Sequence, residues 1–304
     1  MLYIVLQNFH FRGEKIIGKN RIIAIAAVLI IVIAGVGVYA LTNHGNNDGS
    51  TDESAEIVVN GSTTVAPIMT IVKEKYEALY SSVTIQLNAT GSSTGAAAAI
   101  NGTADLAMLS RDLKESEISD GLHSYTIGKD GIAIIVNSGV TDVSNLTMQQ
   151  IADIYAGKIT NWNEVGGADA HINLIGRESN SGTRGAFEEL LTKADSTFTV
   201  TSSMIEMNSN NALLTAVGNT ANAIGYVSLG IALTAGSSAV AILDVGGVHA
   251  TVANVVAGTY TLQRSLNLAT KGEANGAVLD LINWILGTEG QKIVEDEGYI
   301  PISS

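Results

Sequence analysis

Apolar and polar positions along residues 57–304 fall into two alternating periods. Short apolar runs read as strands at Ile57-Val58-Val59, at Val83-Thr84-Ile85-Gln86-Leu87, at Ile172-Asn173-Leu174-Ile175, and without interruption over residues 131–136. Between and after them, helical spacing covers residues 67–80, 95–100, 184–193, 210–217 and 277–286. Asn101-Gly102 stops the second of these helices, and Thr147-Met148-Gln149-Gln150 is a capping box opening a helix to about residue 156. The two prolines, Pro67 and Pro301, stand at segment edges, where a missing N–H costs least. Strand and helix in alternation predict an α/β fold with parallel sheets covered by helices on both faces.

Three of the junctions share one design: an apolar strand, a loop of glycine and hydroxyl residues, then a helix start. They read Asn60-Gly61-Ser62-Thr63-Thr64, Asn88-Ala89-Thr90-Gly91-Ser92-Ser93-Thr94-Gly95 and Gly176-Arg177-Glu178-Ser179-Asn180-Ser181-Gly182-Thr183. Each aims free backbone N–H groups and hydroxyls from a helix N-terminus at the space before it. Singly, such residues are ordinary caps. Their repetition beyond the carboxyl ends of strands, with Arg177 four residues before Ser181, describes a receptor for an oxyanion, because arginine can grip one with parallel N–H bonds.

Composition narrows the choices. With 304 residues and 46% hydrophobic content, the chain can build one large or two medium cores. There is no Cys, which excludes disulfides, thiolate metal sites, cysteine nucleophiles and a lipid-carrying cysteine. The five histidines show no paired zinc spacing. A net charge of −13 argues against nucleic acid as a partner, though not against a small anion held by local dipoles and one arginine.

The first 55 residues have a different character. Residues 22–41 carry no charge and match the roughly 20 apolar residues needed to cross a bilayer. Arg12, Lys15, Lys19 and Arg21 precede them, which predicts a cytoplasmic N-terminus (1–21) and export of everything after residue 41. The length favours an uncleaved transmembrane anchor over a secretory signal, while Val38-Tyr39-Ala40 would serve cleavage and secretion. Residues 42–55, polar and glycine-containing, read as a tether to a folded part at 56–304. Asn60, Asn88, Asn101 and Asn145 begin glycosylation-type triplets.

At this point a resemblance becomes specific. Gly61-Ser62-Thr63-Thr64-Val65-Ala66-Pro67, Gly91-Ser92-Ser93-Thr94-Gly95, Ala104-Asp105-Leu106-Ala107-Met108-Leu109-Ser110-Arg111, Ile159-Thr160-Asn161-Trp162, Arg177-Glu178-Ser179-Asn180-Ser181-Gly182-Thr183-Arg184 and the terminal Gly298-Tyr299-Ile300-Pro301 resemble, in order, the phosphate-binding proteins of phosphate-specific ABC importers. The resemblance implies a two-lobed, type II-like periplasmic-binding-protein fold with phosphate between the lobes. It implies a first lobe of about 57–135 plus 260–304, a second of about 138–258, and crossings near Val136-Asn137 and residues 258–260. By motif position, the implied phosphate contacts are Thr63, Thr64 and Ser92, facing Arg177, Ser181, Gly182 and Thr183, with Ser93 and Ser110 beside them. The implied partners are inorganic phosphate and the transmembrane subunits of an ABC permease, with no cofactor, no metal and no catalysis.

Two departures stand out. Many members carry an acid that accepts the phosphate proton where this chain has Ser110 followed by Arg111, leaving Glu178, Asp105 and Asp112 as candidate acceptors, with Glu178 first. The returning strand, Tyr260-Thr261-Leu262-Gln263-Arg264-Ser265-Leu266, lacks the family's prolines. A receptor or sensor for another tetrahedral oxyanion such as sulfate is the alternative within this class. From another class, Gly91-Ser92-Ser93-Thr94-Gly95 matches the nucleophile elbow of a serine hydrolase, with Ser93 as nucleophile and His249 as a possible base. Trp162 and Trp284 read as packing residues, since nothing basic surrounds them.

Overall fold

A computed structural model describes residues 54–236 and 238–302. The stretches expected from sequence to be a cytoplasmic N-terminus (1–21), an anchor or signal (22–41) and most of a tether (42–55) lie outside these residues. Among the described residues no helix is long and apolar enough to cross a membrane.

The chain opens with β1 (Ala55–Gly61), α1 (Ala66–Leu79), β2 (Val83–Ala89), α2 (Ser92–Ile100) and β3 (Leu106–Leu109). β1 pairs in parallel with β2 on one side and β3 on the other. After the short α3 (Glu115–Ser119) comes β4 (Leu122–Asn137), sixteen residues long and nearly all buried in its second half. The early part of β4 pairs antiparallel with β10 (Gln263–Lys271), whose other edge pairs antiparallel with β3. From Ile132 onward β4 instead pairs with β8 (Ala223–Ser228) and β9 (Val240–Val245). One strand therefore passes from one sheet into the next.

The second sheet continues from β8 through β6 (Asn173–Arg177) to β7 (Ile205–Met207), with the two-residue β5 (Asn145–Leu146) beside β9. Around it lie α4 (Met148–Tyr155), α5 (Gly182–Ala194), α6 (Asn210–Asn219), α7 (Leu229–Ala235) and α8 (Val252–Val256). The chain returns along β10 and ends in α9 (Gly276–Leu286), α10 (Thr288–Asp296) and β11 (Ile300–Pro301). Two main hydrophobic cores follow. One gathers Ile57, Met69, Leu106, Leu268 and Ile285; the other gathers Ile134, Tyr155, Trp162, Phe187 and Tyr226. Trp162 is thus a core residue, its indole N–H donating to Asn222 O (3.0 Å), and Trp284 packs on Tyr76.

The sheets are mixed, not wholly parallel as the alternation predicts. β1, β2 and β3 are parallel, as are β8, β6 and β7, but β4 and β10 run against their neighbours. The reason is connectivity: strands that carry the chain out of one sheet and back again need not obey the right-handed crossovers that make sheets parallel. The helices match the sequence pattern closely, and the capping box forms, with Gln150 N donating to Thr147 Oγ1 (3.1 Å) and Thr147 N to Gln150 Oε1 (2.9 Å). Two site helices start earlier than periodicity indicates: α2 at Ser92 and α5 at Gly182. Their first turns are hydroxyl and glycine residues with no apolar stripe, and so carry no periodic signal.

Candidate functional site

The three hydroxyl loops converge where the two sheets' helices face each other. In the first, Ser62 Oγ accepts from Thr64 N (3.1 Å) and Val65 N (3.3 Å), holding the turn into α1. That turn buries the Thr64 side chain completely and leaves Thr63 half-buried. Tyr299 Oη donates to Thr64 O (2.8 Å), and burial pushes its phenol above the ordinary value, so it keeps the hydrogen it donates. In the second loop, Gly91 has φ +101°, a conformation that side chains resist, and α2 starts immediately after it. Ser92 Oγ accepts from Ser110 N (3.1 Å), tying the second loop to the end of β3.

The third loop follows β6. Arg177 is 1% exposed at the strand end, its N–H donating to Tyr226 Oη (3.1 Å) and its carbonyl accepting from Arg184 Nη1 (2.9 Å). Its Nε and Nη2 donate to the two carboxylate oxygens of Glu178 (2.9 and 2.8 Å), and Nε also donates to Met207 O (3.1 Å). The remaining nitrogen, Nη1, is buried without a partner. Ser181 caps α5 by accepting from Arg184 N (3.3 Å), and the first intrahelical bond is Gly185 N to Ser181 O (3.0 Å). The Gly182 and Thr183 N–H groups precede that bond and project from the helix N-terminus.

The loops meet across the interface. Thr183 Oγ1 lies 3.1 Å from Thr64 Oγ1. Gly182 packs so closely on the second loop that a Cβ would collide with Ser92 Oγ and come within 2.6 Å of Ser110 Oγ, so any larger residue would push the two serines away from the junction. Asn180 bridges as well: its carbonyl accepts from Ser93 N (3.0 Å), and its Nδ2 donates to Thr90 O (3.1 Å) and Thr94 Oγ1 (3.0 Å). Eight of the nine sequence-derived residues, namely Thr64, Ser92, Ser93, Ser110, Arg177, Ser181, Gly182 and Thr183, belong to this junction. Thr63 is its half-buried neighbour.

Several residues at the junction have no sequence signal. Arg264 of β10 is buried, with Nε and Nη2 on Asp130 Oδ2 (3.2 and 2.7 Å), Nη1 on Ser110 O (3.2 Å) and Nη2 also reaching Thr64 Oγ1 (3.3 Å). Burial pushes the Asp130 carboxyl up, against the pull of the Arg264 guanidinium. Asn210, first residue of α6, donates from Nδ2 to Thr64 Oγ1 (2.8 Å). Pairs 134 and 146 positions apart along the chain leave no local pattern. Arg111, adjacent to Ser110, forms a two-pronged pair with Glu117 (2.8 and 2.7 Å). Burial pushes the Glu117 carboxyl up, but the Arg111 bonds outweigh it and hold the group below its ordinary value.

The chemistry of this arrangement is donation. Each buried arginine faces a carboxylate, so the junction adds little net charge, while Arg177 Nη1, the α5 N-terminus and the Thr183 hydroxyl offer directed hydrogens. Glu178 turns both oxygens to Arg177, so it positions that arginine instead of facing the junction as a free acceptor. Ser93 has none of a nucleophile's surroundings: Arg111 Nη2 donates to its hydroxyl (3.3 Å), while His249, 77% exposed by side chain, pairs with Asp244. Among the described residues no cluster of His, Asp and Glu is placed to hold a metal ion.

Residues 46–289 match the model of the PBP superfamily domain. The phosphate-binding protein PstS of Borreliella burgdorferi is 30% identical over 281 residues, covering 91% of this chain and 99% of that protein. Among solved structures, a putative phosphate ABC transporter substrate-binding protein from Clostridium perfringens, with bound phosphate, superposes with a TM-score of 0.75 at 36% identity, over 82% of this chain and 100% of its own. An ABC-type phosphate transport receptor from Vibrio cholerae gives 0.68 at 34% identity, over 80% and 99%.

Proposed function

The chain belongs to the phosphate-binding proteins of the PBP superfamily, and from that premise we propose that it captures inorganic phosphate between two lobes and hands it to the transmembrane subunits of an ABC permease. In this reading Arg177 Nη1 is the charge-assisted donor from one lobe. The N–H groups and hydroxyls at Ser181, Gly182 and Thr183 complete that side, and Thr63, Thr64, Ser92, Ser93 and Ser110 supply the other. The observation that carries it is the buried, unpartnered Arg177 Nη1 at a junction of three hydroxyl loops. An arginine nitrogen left without an acceptor in the interior is costly unless an anion meets it.

The lobe division we propose moves the sequence-derived boundaries (about 57–135 with 260–304 against about 138–258, crossing near 136–137 and 258–260) to the Gly131–Ile132 step and to the start of β10, because Ile132–Val136, Tyr260 and Leu262 pack in the second core. The bending segments are β4, where it changes partners at Ile132, and the chain entering β10. A ligand touched by both lobes favours the closed form. Residues 22–41 anchor the protein in the membrane, or direct its secretion, with the binding domain outside the cytoplasm. We read the protein as a carrier and not a serine hydrolase, since the Ser93 hydroxyl accepts from Arg111 and among the described residues no base hydrogen-bonds it. A sulfate receptor keeps one point in its favour, the serine at position 110 where many phosphate carriers place an acid.

Calorimetric titration of the full chain with phosphate, sulfate, molybdate and organic phosphates tests the reading. We expect one site per chain with inorganic phosphate bound most tightly. Equal affinity for sulfate would demote the protein to a general oxyanion receptor, and no binding of phosphate would end the proposal.

A further inference from the structure

Asn210 stands directly after the Ser209 cap of α6 and is 1% exposed. Its Nδ2 reaches Thr64 of the opposing loop, while its Oδ1 is buried without a partner. An interior carbonyl lacking a donor is unfavourable, and such groups in folded proteins are normally met by something. The Thr64 oxygen that Asn210 touches is itself 3.1 Å from Thr183 Oγ1, in the first turn of α5. Oδ1 therefore lies one carboxamide width from the nitrogen that touches the place where hydroxyls of the facing loops meet.

The donors at this corner fix the direction of its hydrogens. Asn210 Nδ2 and Arg264 Nη2 are obligatory donors, and both point at Thr64 Oγ1. Thr64 must then donate its own hydrogen to Thr183 Oγ1, which leaves the Thr183 hydroxyl to donate onward. Thr183, Gly182 N–H and Arg177 Nη1 all give hydrogens, whereas Asn210 Oδ1 takes one. A fully ionised oxyanion satisfies the donors and leaves the acceptor facing a lone pair; an oxyanion that keeps a hydrogen satisfies both.

We propose that Asn210 Oδ1 accepts the P–OH hydrogen of mono- or dibasic phosphate and is thereby the residue that favours phosphate over sulfate. Ser110 stands where an acidic acceptor would be expected, and Glu178 commits both oxygens to Arg177, so a neutral carboxamide takes the task. The inference rests on the phosphate reading of the same junction.

Calorimetry on the full chain at one neutral pH, with phosphate, sulfate, arsenate and selenate, separates the two claims. Phosphate binding by wild type tests the underlying reading; its absence overturns both. Given that binding, Asn210→Leu should lower the phosphate-to-sulfate affinity ratio by about tenfold. The arsenate-to-selenate ratio should fall in parallel, since that pair differs in protonation but hardly in size. Asn210→Asp keeps the shape and carries the test if the leucine variant does not fold; its carboxylate should repel the unprotonated anions and raise both ratios. Equal losses for protonated and unprotonated anions in the variants would show that the carboxamide only supports the contact with Thr64, or donates to the anion, and would overturn the proposal.

Discussion

Arg111 and Arg177 are both buried, both paired with a nearby glutamate, and both close to the hydroxyl loops, yet they leave different atoms available. Arg111 gives Nη1 and Nη2 to the two Glu117 oxygens, with Nη1 also on Asp112 O and Nη2 on Ser93 Oγ. Arg177 turns one edge, Nε and Nη2, to Glu178 and keeps Nη1 unpartnered and buried. One guanidinium is a structural tie; the other is a tie with a donor left over. Pairing a buried cation with a carboxylate offsets desolvation in both, so the second pair presents a directed N–H without a large net field. An acidic chain with a net charge of −13 can hold an anion by this means.

Loss of the Arg111 tie should cost more than loss of the Arg177 donor. Glu117→Ala leaves the Arg111 charge buried and unpaired, and should destabilise the fold by about 3–5 kcal/mol in denaturant titrations while the refolded protein keeps its affinity for phosphate. Loss of affinity with intact stability would place Arg111 in the binding site. The same pair has a pH signature. A carboxyl held below its ordinary value in the fold stabilises above the unfolded value, and that contribution fades as pH falls through the folded one. Wild type should therefore lose stability on acidification below about pH 4.5, where unpaired glutamate is half protonated, and a Glu117→Gln protein should lose less over the same interval.

On the other side, Arg177→Ala should weaken phosphate binding tenfold to a hundredfold, the worth of a charge-assisted hydrogen bond at roughly 1.5–3 kcal/mol. Glu178 is left partly exposed and can be hydrated, so its stability penalty should be smaller than that of Glu117→Ala. Wild-type affinity in Arg177→Ala would remove this residue from the site. The smallest effects belong to single hydroxyls. Ser181→Ala and Thr63→Val should each weaken binding by less than about tenfold, because backbone N–H groups remain. Ser181→Ala should in addition cost about 1 kcal/mol of stability through its lost cap on α5.

Much of this was legible in the order of residues, and the illegible part has a common cause. The three loops are local patterns, a strand, a glycine-hydroxyl turn and a helix start, and the structure brings all three to one place. Glu178 is also local, one residue from Arg177, but proximity alone does not tell an acceptor for ligand from an anchor for arginine. Only the positions of its two oxygens decide that. Asp130, Arg264 and Asn210 reach the site through strand and helix packing over more than a hundred residues, and each reads locally as an ordinary strand or helix-start residue. The antiparallel course of β4 and β10 is likewise invisible to periodicity, which reports burial but not strand direction.

If an anion bridges the two lobes through the nitrogen that Glu178 leaves free, a crystal structure of the full chain with phosphate will show it. The expected complex has a phosphate oxygen within hydrogen-bonding distance of Arg177 Nη1, others on the Gly182 and Thr183 N–H groups, and contacts from Thr63 or Ser92 on the opposite side. Phosphate bound wholly within one lobe, or bound with Arg177 Nη1 still unpartnered, would contradict it.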